Sequence, residues 1–373
     1  MRKVYKILLV SLCMLVVSGC WDQKDLEKLL IVYGVGIDTS LNESTDSPYL
    51  ITIGFPTIIE DAPDKKMEYS TPAKSLADAY DRLQRKAYRE ISYDNTRLIV
   101  FGEEAATLGI IRHVDAMLRA PLFPGTARFA VVEGRAIDLL SVVPPVSLFV
   151  STFLFESIQQ SNMSTSAPFT TLRRFHNEFN TKGIEPIVPY ITYAAEPGII
   201  YVGCTALFQG DKLIEVIHGN HSRALLILRG EIKNGYYTAK YQVENEELDN
   251  FISVRFQGGK SKIRTEVIDG ELNINHKISI NAILSEFTDY ESAFDSEKLK
   301  VFERAVAEAI KRDLQSTLNI LQKTLKNDNV GYGRYVRIKH PEIFDPENWN
   351  EQFSHMNIHL EVEVTISEVG ITH

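Results

Sequence analysis

From Leu299 to Leu325 apolar side chains recur at spacings of three and four, and on either side of this run the spacing falls to two. Leu299, Phe302, Val306, Ile310, Leu314, Leu318, Leu321 and Leu325 form one stripe of a helix predicted from about Ser296 to Lys326. At ~1.5 Å per residue that helix is some 45 Å long. Upstream, Ile252, Val254 and Phe256 alternate, then Ile263, Thr265 and Val267, then Leu272, Ile274, Ile278, Ile280, Ala282 and Leu284. Gly258-Gly259 is placed to turn a hairpin between the first two runs. Downstream, Met356, Ile358, Leu360, Val362, Val364 and Ile366 alternate with polar residues, the pattern of a strand with one wet face. Strands, one long helix and a last strand predict a C-terminal α+β domain with the helix packed across an antiparallel sheet.

The N-terminal half reads as alternating strand and helix. Leu29 to Ile37, closing on Gly34-Val-Gly36-Ile37-Asp38, is a buried strand, and Tyr49 to Thr57 a second. The acidic stretch Glu60 to Asp64 leads out of it. Pro72 to Arg89 places Leu76, Ala79, Tyr80, Leu83 and Ala87 on one helical face. Thr96–Phe101 and Ala127–Val132 are further strands, with short helices between them. Val143-Pro144-Pro145 stops one helix and can start the next. Ser161 to Ser166 reads as an exposed loop, and Ser166-Ala-Pro168 as the cap of a helix over Phe169–Phe179. Pro186, Pro189 and Pro197 mark a domain boundary. The expected organisation is α+β and multidomain, with two to three mixed α/β domains. Residues 20–195 form an N-terminal α/β region of one or two domains, and residues 196–373 the C-terminal domain.

Residues 1–19 read as a processing signal. Arg2, Lys3 and Lys6 precede an apolar stretch, Ile7 to Val17, too short for a membrane span, which needs ~20 residues. The stretch runs through Val17-Ser18-Gly19 into Cys20, which resembles the bacterial lipobox. The Cys20 thiol would then carry diacylglycerol and become the first residue. At ~0.8 kcal/mol per buried CH₂, two long acyl chains hold a protein to a bilayer almost permanently. Arg2, Lys3 and Lys6 would leave with the signal and take the formal charge from −9 to −12. A balance that acidic argues against nucleic acid as a general partner. No second apolar run approaches spanning length, since Pro144 and Pro145 interrupt Val142–Leu154.

Motifs for chemistry are sparse. With Cys13 in the signal and Cys20 lipidated, Cys204 stands alone in the apolar segment Tyr201–Phe208 and reads as a core thiol. That rules out an intramolecular disulfide and a cysteine-based metal site. The sequence has no G-x-S-x-G elbow and no phosphate loop, and Gly34-x-Gly36 lacks a third glycine, so it is read as a close-packing device. His218 and His221 fall in a turn leading into a helix over Arg223–Leu228. His355 and His359, read on one strand, would stand ~13 Å apart and could not share an ion. No catalytic residue, metal ligand or cofactor is expected. Two basic clusters stand out: Arg255, Lys260, Lys262 and Arg264, and Arg334, Arg337, Lys339 and His340. Each is a solvated face or a contact with anionic headgroups or an acidic partner.

Gly19-Cys20-Trp21-Asp22 followed by Gly34-Val-Gly36-Ile37-Asp38 resembles the opening of the Ger(x)C lipoproteins, the C subunit of GerA-type spore germinant receptors. The likeness continues through Arg89–Tyr93, Arg97–Glu104, Ala106, Gly109-Ile110 and Leu118-Arg119, and returns at His340-Pro341, Trp349 and the strand ending at Gly370. The resemblance implies an unusual three-domain mixed fold and a non-enzymatic protein. It would sit on the outer face of the spore inner membrane, beside two integral membrane subunits of A and B type. It would be needed for nutrient-triggered germination. Only Cys20 carries over as a functional residue. A solute-binding lipoprotein serving a transporter is the alternative, but that would require two similar lobes around a cleft, and the two halves differ in pattern.

Overall fold

The computed structural model describes Arg2, Tyr5 and residues 25–40, 46–56, 66–119, 123–147, 149–194, 198–241, 250–268, 270–288 and 296–369. The first ten strands are β1 (Leu29–Ile31), β2 (Gly34–Thr39), β3 (Tyr49–Pro56), β4 (Lys66–Ala73), β5 (Glu90–Ser92), β6 (Leu98–Gly102), β7 (Arg128–Val132), β8 (Ile187–Ala194), β9 (Ile199–Gln209) and β10 (Lys212–Ile217). Eight of them form one sheet in the order β10-β9-β8-β7-β6-β2-β3-β4, while β1 and β5 make a separate parallel pair. The sheet is parallel at its centre and antiparallel at both flanks.

The central strands are buried on both faces, as a sheet covered by helices requires. Ile99, Phe101, Phe129 and Val131 face one side, against α1 (Leu76–Gln84), α2 (Glu103–Leu108), α3 (Ile111–Arg119) and α6 (Leu172–Phe179). Leu98, Val100, Ala130 and Val132 face the other, against α4 (Ala136–Ser141) and α5 (Val150–Met163). The glycines of β2 bring α4 and α5 close. A Cβ on Gly34 would overlap Ser151 Oγ, and one on Gly36 would stand 2.9 Å from Leu140. Asp38, at the end of the same strand, accepts from Ala136 N (2.6 Å) and Ile137 N (3.0 Å) and so caps α4. The Gly34-to-Asp38 motif is thus a docking device for α4 and α5.

The C-terminal strands are β11 (Asn234–Tyr241), β12 (Asn250–Ile268), β13 (Glu271–Phe287) and β14 (Asn357–Val369), in that order in one sheet. The long helix α8 (Ser296–Asn319) continues as a π-helical turn, Ile320–Leu325, and ends on Lys326 in the left-handed region. Its predicted stripe is the buried one: Phe302, Val306, Ile310, Leu314, Leu318 and Leu321 pack on Ile252, Val254, Phe256, Ile278 and Ile280. Helix α7 (Gly219–Leu228) joins this core along its whole buried face, together with Ile187 and Leu207 of the large sheet. β8 and β9, on either side of residue 195, pair as a hairpin, so the large sheet runs through the expected boundary and ends at Ile217.

Several sequence expectations are corrected. β14 lies parallel to β13, not antiparallel, because α8 is a crossover that returns the chain to the end where β13 began. Gly258-Gly259 makes no turn; β12 runs straight through with a bulge between Phe256 and Gly259, and the hairpin closes beyond Ile268. Pro72 belongs to β4, an edge strand, where the missing N–H costs no ladder bond. Helix α1 therefore starts later, with Ser75 accepting from Asp78 N. Helix α6 is capped by Thr171, not Ser166. The 161–166 stretch is no exposed loop: Asn162 and Thr165 are buried, and Thr165 bonds Asn234 O and Lys233 N of the second sheet.

Two tests follow from this packing. Gly34→Ala destabilises the protein by ~1–3 kcal/mol in urea unfolding, through overpacking against Ser151. Combined with Ser151→Gly it costs less than the two single changes added; strict additivity would show that the sites do not meet. Burial lowers the pKa of both His113 and His276 to about 4. The unfolded chain therefore takes up these protons first. Their contribution to stability is full above the unfolded value of ~6.5 and is lost as pH falls toward 4, by about 3 kcal/mol each at most. Denaturation midpoints measured between pH 7 and pH 4.5 should fall accordingly, and His276→Gln should flatten part of that slope.

Candidate partner-binding surface

Past Gln257, strand β12 has no partner strand on its outer side among the described residues, because β11 pairs only with residues 250–257. Lys260, Lys262 and Arg264 alternate along this free stretch, so their side chains share a face, and all three are exposed. Lys262 stands opposite Lys277 of β13. Like charges in direct register repel. Lys277 is neutralised by Glu363 and by Glu361 (2.9 Å) on β14, whose hydrogen bonds hold its ammonium above the usual lysine range. Lys260, Lys262 and Arg264 have no ion pair among the described residues. They line a cavity of about 1010 Å³ together with Ser261, Asn275, His276, Ser279 and two carboxylates, Glu266 and Glu361.

Helix α9 (Tyr332–Lys339) brings the second basic cluster alongside. His340, just past its end, donates from Nε2 to Thr265 O (3.2 Å), and Tyr335 lines the cavity. Arg337 and Lys339 are exposed. Tyr335 and His340, about seventy residues from the β12 row in sequence, thus bring this segment to the edge of the cavity. Arg255 is exposed but lies on the part of β12 paired with β11, outside the cavity lining. Arg334 is half-buried; burial lowers its guanidinium pKa, and Arg229 adds to that.

The floor of the cavity was not legible as a site. His276, fully buried, has Ser261 Oγ within 2.7 Å of Nε2 and Tyr332 OH within 2.8 Å of Nδ1. Arg229, which also lines the cavity, is locked into a buried ionic cluster with Glu178 (2.5 Å) and Glu231 (3.1 Å), and Arg174 bonds both carboxylates. Burial would raise the Glu231 carboxyl, but Arg229 and Arg174 outweigh it and hold it below the usual range. These residues come from four separate elements and the turn after α7, and no local spacing announces them. The arrangement offers free cations above a floor whose own charges are matched, which suits an anionic group from outside.

The other sequence candidates are placed as follows. Cys20 lies outside the described residues. Cys204 is buried, with His218 Nδ1 3.0 Å from its sulfur; burial raises the thiol pKa and Glu133 raises it further, so it stays protonated. Helix α7 begins at Gly219, so His221 is helical and contacts Thr317 instead of pairing with His218. His355 ends α10 (Trp349–His355) and only His359 is on a strand, which corrects the expectation that both share β14. Among the described residues no group of three or more His, Cys, Asp or Glu is arranged to hold a metal ion, and no helix is long and apolar enough to cross a membrane.

Comparison with known proteins covers both halves of the chain. Residues 22–193 match the family model for the spore germination protein N-terminal domain, and residues 204–370 that for the C-terminal region of the B3/GerAC-like spore germination proteins. The putative spore germination protein YfkR of Bacillus subtilis is 23% identical over 391 residues, covering 100% of this chain and 98% of the relative. Spore germination protein B3 of the same organism is 20% identical over 397 residues, with 99% of each covered. The crystal structure of the GerBC protein superposes with a TM-score of 0.57 at 16% identity, covering 92% of this chain and 99% of that one, so the fold is shared. The chain belongs to the GerAC-like family of spore germination proteins.

Proposed function

We propose that this chain is a lipid-anchored, non-enzymatic subunit of a spore nutrient germinant receptor, held by acyl chains on Cys20 to the outer face of the spore inner membrane. The observation that carries the reading is family membership across both halves of the chain, joined to a lipobox ending in Cys20. Its partners in this reading are two integral membrane subunits of A and B type. The cationic row Lys260, Lys262 and Arg264 with α9 is the surface it offers to an acidic region of such a partner. The halves differ in architecture, one an eight-stranded layered sheet and the other a four-stranded sheet with a long helix, which does not fit a two-lobed solute-binding body.

Deleting the gene should abolish germination with at least one nutrient while leaving growth intact; normal germination with every nutrient, in a strain without redundant receptors, would overturn the reading. Cys20→Ala should release the protein from the membrane fraction, and persistence there with attached acyl chains would refute the anchor. Lys260→Glu, Lys262→Glu and Arg264→Glu together should abolish co-purification of the membrane subunits with an unchanged melting temperature. Undiminished co-purification would remove this surface from the assembly.

A further inference from the structure

The continuous stretch that starts at Asp25 enters the molecule at one end of the short parallel pair β1–β5. Leu29 is in register with Glu90, so the residues preceding each strand lie at the same end. Leu26 and Tyr88 are there, 68% and 69% exposed. The Arg89 guanidinium sits 5.0 Å from the centre of the Tyr88 ring, and Lys86 reaches Ser70 O at 2.8 Å. Charges at this end balance. Lys28 pairs with Asp25 at 2.6 Å and Arg85 pairs with Asp81, and Glu27 and Glu90 are present as well. The distinguishing feature is therefore two large apolar side chains offered to solvent beside cations. Tyrosine with flanking Arg and Lys is the composition that settles at the level of lipid headgroups.

Cys20 lies six residues before Leu26. A chain reaches at most ~3.5 Å per residue, so an acylated Cys20 keeps Leu26 within about 21 Å of the bilayer. We propose that this end of the molecule rests on the lipid surface, with Leu26 and Tyr88 in the boundary between headgroups and acyl chains and Arg89 among the headgroups. Tether and surface then make a two-point attachment that sets the orientation of the body. The proposal rests on acylation of Cys20 as read above. Because the local charges balance, the contact forms on neutral as well as anionic lipid and changes little with salt.

The test uses the full mature acylated chain with a nitroxide at Tyr88→Cys, and separately at Ile338→Cys, which is 71% exposed on α9. Each is reconstituted in vesicles of phosphatidylcholine alone and of phosphatidylcholine with phosphatidylglycerol. Collision rates with oxygen and with a water-soluble nickel chelate report depth. The label at 88 should show an oxygen-to-nickel ratio roughly threefold or more above that at 338, in both lipids and at raised salt, as an interfacial site does. Equal, water-like ratios while the chain still sediments with vesicles would overturn the proposal and leave the anchor standing. Failure to sediment with either vesicle would overturn the anchor and the proposal together. A label at 88 that is immobilised only after the membrane subunits are added, with no depth signal, would assign the surface to a protein partner and overturn the lipid contact.

Discussion

The fold depends on a buried carboxylate. Asp328 is fully enclosed, and its two oxygens accept from Gly331 N (2.7 Å), Gly333 N (2.9 Å) and Trp349 Nε1 (2.9 Å). Burial pushes its carboxyl pKa up and these donors pull it back. Its neighbours Asn327 and Asn329 are just as buried. Their amides donate to Phe208 O, and Asn329 also donates to Pro186 O, both on the large sheet's side. Glu185 N donates to Asp328 O, and Arg229 donates to Asn329 O. A buried polar group without a partner costs ~1–3 kcal/mol, so three consecutive ones are stable only with every bond in place. The two sheets can therefore meet in one arrangement.

That arrangement positions the candidate surface. The loop around Asp328 delivers Tyr332 into the core at the start of α9, where its hydroxyl meets His276 of β13, and His276 meets Ser261 at the cavity wall. Gly333 approaches Gly183 so closely that a Cβ on it would lie 2.5 Å from that backbone. Helix α9 is thus fixed at its first turn to both halves, and His340 fixes its end to Thr265. Because of these bonds Tyr335 of α9 lines the same cavity as the cations of β12.

Much of this was legible in the sequence, for a physical reason. The stripe of α8 and the alternation of β12, β13 and β14 are local periodicities that survive folding because one face is buried. The two basic clusters were visible as well, but the bond that ties the end of α9 to β12 was not, since its partners are some seventy residues apart. Gly258-Gly259 looked like a turn because two glycines carry the same local signal in a bulge. Pro72 looked like a helix start because an edge strand and a first helical turn excuse the same missing donor. Asn327-Asp328-Asn329 looked like any polar loop; only the carbonyls of residues 186 and 208 make it a core.

The rigidity of that junction gives the tether mechanical meaning. A body joined to a membrane by a flexible linker alone presents every surface in turn. Here α7 packs into the C-terminal core while its flanking strand belongs to the large sheet, and Ile187 and Leu207 of that sheet are part of the same core. With the buried Arg174–Glu178–Arg229–Glu231 cluster added, the halves share apolar contacts, ion pairs and the Asp328 junction. Orienting one end on a bilayer would then orient the cationic cavity of the other through these shared contacts. On the proposed function, presenting one surface at a fixed height and angle to membrane-embedded partners is a task that packing alone can perform.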